Sequence, residues 1–100
     1  MEIKHQPEEG KGRFVVFVDD KEAGYIKYEI MPNNNLKANG TLIYEEFRAQ
    51  HLGTPLFNTL INFAKEQKVK IYPTCPYVVK MFERHPELSD LLDDDYFKAK

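Results

Sequence analysis

Gly53-Thr54-Pro55-Leu56-Phe57-Asn58-Thr59-Leu60-Ile61-Asn62-Phe63-Ala64-Lys65-Glu66 is the stretch at which the hydrophobic period of this chain changes. Leu56, Leu60, Ile61, Phe63 and Ala64 recur at helical intervals while Asn58, Asn62, Lys65 and Glu66 take the other side, so the spacing predicts an amphipathic helix. Pro55 falls in its first turn, where a missing N–H is harmless. Everything before this helix reads as strand. Arg13 to Val18 (RFVVFV) is β-branched and aromatic, and Ala23 to Met31 (AGYIKYEIM) alternates Tyr25, Lys27 and Glu29 against Ile26, Tyr28 and Ile30. Polar turns at Asp19 to Glu22 and Pro32 to Asn35 separate these strands from a third, Leu36 to Tyr44, and a short segment from Ile3 turns at Pro7 to Gly12.

After the helix, Val69 to Tyr72 (VKIY) is long enough only for a short strand, parallel to its predecessor because a helix connects them. Tyr77 to Arg84 then reads as a short helix interrupted at Pro86, and Glu87 to Asp94 as one more before a polar tail. The prediction is an α+β fold of antiparallel meander, helix, parallel strand and C-terminal helix, in one small domain over residues 1–100.

Composition narrows the function. The chain has 100 residues, 42% hydrophobic and 30% charged, with a formal charge of −2 and acids and bases interspersed. That pattern argues against a duplex nucleic-acid binder. No apolar run is long enough for a bilayer and residues 1–10 lack a secretory pattern, so the expected location is cytoplasmic, with no membrane partner. Cys75 is the single cysteine, and the metal-ligand types are too scattered for a structural zinc site, so no metal is expected. Asp93-Asp94-Asp95 lacks the Gly and terminal Glu of an EF-hand loop and reads as a solvated helix end. Phe14, Phe17, Tyr25, Tyr28 and Phe63 fall on faces where core packing explains them.

Two segments could carry chemistry. Arg48-Ala49-Gln50-His51-Leu52-Gly53-Thr54 joins a strand to the main helix, whose first turn offers unpaired N–H groups and the positive end of the peptide dipole, both suited to a phosphate. By spacing alone it reads first as an ordinary connection with Gly53 easing a turn. Pro73-Thr74-Cys75-Pro76-Tyr77 follows the last strand, and a thiol at a helix N-terminus meets a field that favours thiolate. Cys75 is thus either a nucleophile or a small buried hydrophobe. His5 and His85 read as surface or cap residues, whereas His51 stands inside the phosphate-type loop, where it is either an ordinary exposed loop histidine or an imidazole suited to an anion.

Taken together, Glu46-Phe47-Arg48-Ala49-Gln50-His51-Leu52-Gly53-Thr54-Pro55-Leu56 resembles the pyrophosphate loop of GNAT acetyltransferases, whose pattern is Gln or Arg, two variable residues, Gly, a variable residue, then Gly or Ala. The strand-Cys-Pro-Tyr-helix segment, with Arg84-His85-Pro86-Glu87 beyond it, is similar to the short single-domain YjdJ-type members. The resemblance implies a reduced GNAT fold without the N-terminal helices that help build the acceptor site. It also implies acetyl-CoA as co-substrate, an unidentified amine as acceptor, and a monomer or weak dimer. By that resemblance Arg48, Ala49, Gln50, His51, Leu52, Gly53 and Thr54 bind the cofactor together with Tyr77, a main-chain N–H near Ile43 polarises the thioester, and Cys75 is catalytic.

The sequence departs from the pattern in three places. His51 replaces the first motif glycine, Ala49 stands where the small family often has Gly, and Asn39-Gly40-Thr41 keeps the Thr but not the His of a His-Thr pair. The departures leave two readings, an N-acetyltransferase and a non-catalytic acyl-CoA binding module. A protein-interaction domain that keeps only the fold is a third.

Overall fold

In the computed structural model, which describes the backbone of residues 1–98 and side chains through residue 96, alternation decides which side of each strand is buried. Phe14 and Val16 of β2 (Lys11–Val18), Ile26 and Tyr28 of β3 (Lys21–Ile30), and Leu36 and Ala38 of β4 (Leu36–Ile43) are all buried, and cross-strand register places them on one sheet face. α1 (Gly53–Gln67) meets them with Leu56, Phe57, Leu60, Ile61 and Ala64. The predicted period holds for Leu56, Leu60, Ile61 and Ala64, while Phe57 joins the buried face and Phe63 is half-buried at its edge. α2 (Pro76–Arg84) joins the same core, its Phe82 lying edge-on to Phe57 at 5.4 Å between ring centres.

The sheet runs in the order β1 (Glu2–Glu8), β2, β3, β4, β5 (Ile71–Pro73), antiparallel except for the parallel β4–β5 pair. This is the expected α+β arrangement. No helix among the described residues is long and apolar enough to cross a membrane.

Several local expectations are corrected. The segment from Ile3 is a full edge strand, because Gly10 at φ +77° closes a tight turn that brings Glu8 opposite Lys11. Pro7 is tolerated there since an edge strand needs only one row of ladder donors. The last strand begins at Ile71 rather than Val69: Lys68 ends α1 in the left-handed conformation and the Val69 N–H donates to the Ala64 carbonyl at 3.0 Å. Residues Glu45–Gln50 form a 3-10 turn anchored by buried Phe47. Phe17 and Tyr25 lie on the sheet face away from the core, under Lys4 and Arg13, whose long stems cover the apolar surface.

The C-terminal segment differs most. It splits into a 3-10 turn, Pro86–Leu91, and α3 (Asp94–Lys98), and part of the expected polar tail lies outside the described residues. Between these two pieces Asp93 is only 1% exposed, not a solvated helix end. Its Oδ2 accepts from Asn35 Nδ2 at 2.7 Å and from Asn33 Nδ2 at 3.0 Å, and its Oδ1 accepts from the Asp95 N–H at 2.7 Å. One carboxylate thereby ties the chain end to the β3–β4 turn. Asp94 pairs with Lys70 at the surface, 3.1 Å away. His5 is more than a surface residue: it stacks on Phe14 at 4.3 Å and hydrogen-bonds the Tyr28 hydroxyl at 2.7 Å, and partial burial holds its imidazole below the ordinary value.

Candidate functional site

The site begins where β4 and β5 part. Their parallel register covers only Leu36–Ile71, Lys37–Tyr72 and Ala38–Pro73. Pro73 has no N–H to extend the ladder, and the next two amides, of Thr74 and Cys75, both donate to the Ala38 carbonyl at 3.0 and 3.1 Å. β4 itself continues for five residues beyond Ala38, through a bulge at Asn39 created by the register shift between Lys27 and Tyr28. On its other side the Tyr44 N–H donates to the Ala23 carbonyl, which makes Gly24–Ile43 a non-hydrogen-bonded pair. The backbone groups of Thr41 and Ile43 consequently point away from β3, into the gap that β5 leaves. Arg48 Nε takes the Ile43 carbonyl at 3.1 Å, and the Ile43 N–H is directed into the gap.

The gap opens onto a cavity of about 460 Å³ walled by Thr41, Leu42, Ile43, Arg48, His51, Leu52, Gly53, Thr54, Tyr77, Met81 and Arg84. Seven residues singled out in the sequence, Ile43, Arg48, His51, Leu52, Gly53, Thr54 and Tyr77, meet on this wall. Ala49 and Gln50 do not; they sit exposed on the 3-10 turn. Among the described residues the wall carries two arginines and a histidine and no carboxylate, in a chain of formal charge −2. α1 starts at the same place without a capping side chain, since its N-cap is the buried Leu52. Its first amides therefore face the cavity region with no side-chain acceptor of their own.

Gly53 has a reason that the sequence did not show. A Cβ there would lie 2.6 Å from Tyr77 Oη and 2.7 Å from its Cζ, so the glycine lets the tyrosine of α2 pack directly on the start of α1. Cys75 is the N-cap of α2 and 8% exposed, with its Sγ donating to Thr41 Oγ1 at 3.6 Å. Thr41 thus links the thiol to the cavity wall. Gly40 alternates to the opposite sheet face, where the stem of Lys27 fills the space a side chain would need. A histidine at position 40 would emerge there, not beside Thr41.

Comparison with known proteins decides the family. A model of the GCN5-related N-acetyl-transferase family matches residues 13–91. The chain belongs to the GCN5-related N-acetyltransferases. Among solved structures, the NMR structure of a Staphylococcus aureus protein described as GCN5-like matches with a TM-score of 0.70 and 25% identity over 92% of this chain and 87% of that one. The crystal structure of a ribosomal-protein-alanine N-acetyltransferase from Brucella melitensis biovar Abortus 2308 matches with a TM-score of 0.63 and 15% identity, over 77% of this chain and 64% of that one, a likeness of fold. No curated protein matches.

Within the GCN5-related pattern His51 is the residue that departs most, and the structure places it at φ 54°, ψ 44°. That is the left-handed region, where a Cβ costs about 1–2 kcal/mol. Replacing it with glycine removes this strain but adds about 0.5–1 kcal/mol of unfolded-chain entropy. His51→Gly is accordingly expected to stabilise the protein by about 0.5 kcal/mol, read as a small rise in the urea midpoint at unchanged slope. A fall in the midpoint would show that the imidazole makes a compensating contact. Leu42, Met81 and Arg84 on the wall were not assigned a site role from the sequence. Only Arg84 carried a signal, as part of the Arg84-His85-Pro86-Glu87 segment, and nothing in its spacing indicated that α2 would turn it toward this cavity.

Proposed function

We propose that the chain binds acetyl-CoA in this cavity and transfers the acetyl group to an amine, with Cys75 at the reacting end. The observation that carries the reading is that an uncapped helix start, two arginines and a strand edge without a neighbouring strand converge on one cavity, whose wall residue Thr41 contacts the buried Cys75 thiol just outside it. A diphosphate is the group that the α1 amides and Arg48 suit. The pantetheine arm is an amide chain, and the backbone groups of Thr41 and the Ile43 N–H, which face away from β3, suit it as a strand edge suits a peptide. The Ile43 N–H is then placed to polarise the thioester carbonyl.

Cys75 can act in either of two balanced ways. As nucleophile, its sulfur attacks the thioester carbonyl, the carbon–sulfur bond to CoA breaks, and the thiol proton passes to the departing CoA sulfur; the acceptor amine then takes the acetyl group and returns a proton to Cys75. As acid, Cys75 gives its proton to the departing CoA sulfur while the amine attacks, and the proton that the amide-forming nitrogen releases returns to the Cys75 thiolate. The polar side chain that touches Cys75 is the Thr41 hydroxyl, which orients the thiol but is no strong base. This favours as second reading a module that holds acyl-CoA without turnover.

Thermal unfolding with acetyl-CoA, CoA and ATP tests the reading. At about 100 times its dissociation constant a ligand stabilises by about 2.7 kcal/mol, which for a chain of this size raises the midpoint by roughly 10 °C or more. A rise with both CoA forms and a smaller one with ATP is expected. No shift at millimolar ligand would leave the fold without its family ligand, and a shift without acetylation of any amine or of Cys75 would favour the binding module.

A further inference from the structure

Along α2 the cavity has an order. Cys75 caps the helix, Tyr77 rests on Gly53 at the start of α1, Met81 follows one turn on, and Arg84 ends the helix. Tyr77, Met81 and Arg84 are spaced four and three residues apart, so they share one helix face, and seven residues of rise put Arg84 about 10 Å beyond Tyr77. Among the described residues no carboxylate lies within ion-pair distance of Arg84, whose side chain is exposed at the cavity mouth. His85, beside it, pairs with Glu87 at 3.1 Å, and leaves the arginine as the cation on the wall at that end.

Resting on the acetyl-CoA reading, we infer that Arg84 is a specificity-determining residue that recognises the ribose 3′-phosphate of coenzyme A. If the acyl end lies at Cys75 and the diphosphate at Gly53, then α2 acts as a ruler and the nucleoside end of the ligand extends toward Arg84. A 3′-phosphate is the one strongly charged group that CoA carries beyond its diphosphate. An arginine with five fixed donors and no internal carboxylate is suited to it. Arg48 is anchored at the diphosphate end, where its Nε donates to the Ile43 carbonyl.

The test is calorimetric binding of CoA and of 3′-dephospho-CoA to the wild-type chain, Arg84→Ala and Arg84→Lys. The wild type should prefer CoA by about tenfold or more, as expected for one charge-assisted contact. Arg84→Ala should lose that preference while binding dephospho-CoA as before, and Arg84→Lys should keep part of it. Unfolding midpoints near wild type are expected for both variants, since the side chain is exposed. Equal binding of the two ligands by the wild type, or an undiminished preference in Arg84→Ala, overturns the assignment while leaving the CoA site standing. Binding of neither ligand by the wild type removes the acetyl-CoA reading itself, and Arg84's role with it.

Discussion

Cys75→Ala is expected to lower acetyl transfer by at least about 100-fold, the scale of a lost nucleophile or proton donor, while leaving CoA affinity within about threefold. The asymmetry follows from position. Cys75 Sγ contacts Thr41 Oγ1 at one end of the gap and contributes no charge or strong donor to the cavity that would hold the nucleotide. Removing one buried sulfur costs about 1 kcal/mol of packing, too little to unfold the chain, and the variant's unfolding curve checks this. Incubation with acetyl-CoA separates the two roles: a nucleophile leaves one acetyl group on the wild-type protein, absent from Cys75→Ala, whereas an acid leaves none. Turnover that survives the substitution would take Cys75 out of the chemistry altogether.

Asp93→Ala is expected to destabilise the fold by about 3 kcal/mol, since it strips a buried acceptor from two asparagine side-chain amides and from the Asp95 N–H in the first turn of α3. For a domain of this length that is a fall of roughly 10 °C or more in the midpoint. The same carboxylate sets an acid limit. Burial pushes the Asp93 carboxyl up, but the hydrogen bonds from Asn35, Asn33 and the Asp95 N–H, with Lys70 nearby, together outweigh it and hold it below the ordinary value of 3.8. The folded form therefore prefers the ionised state. Its contribution is complete above pH 3.8 and is lost as pH falls through the depressed folded value. Urea unfolding at successive pH values should show a loss of stability below about pH 4 that Asp93→Asn flattens. An acid limb equal in wild type and Asp93→Asn would move the responsibility to another carboxylate.

Both effects arise at residues whose meaning differed in legibility. The period of Leu56, Leu60, Ile61 and Ala64 announced α1 because a helix turns its side chains by a constant angle, and that signal needs no partner. The alternation in β3 was equally plain, and so was the strand-helix-strand order that makes β5 parallel to β4. Cys75 and the loop from Arg48 to Thr54 were readable as candidates because each sits at the start of a helix. Asp93 was not: in a run of three aspartates nothing local distinguishes the one that Asn33 and Asn35, about 60 residues away, draw into the interior. Val69 failed for a similar reason, since the αL turn at Lys68 spent its amide on capping α1.

Local spacing by itself determined the strands β2, β3 and β4, the helices α1 and α2, their order, and the two helix starts around which the site is built. Only the tertiary structure decided that these starts lie against each other, through Tyr77 on Gly53, and that β4 runs past β5, leaving its far end without a strand neighbour on that side. It also decided that Arg84 shares a cavity with Arg48 and that His51 carries a left-handed backbone in a glycine's place. The division has a physical cause. Periodicity and capping act between residues a few positions apart, whereas the gap, the cavity and its charge exist only once segments far apart in the chain are packed side by side.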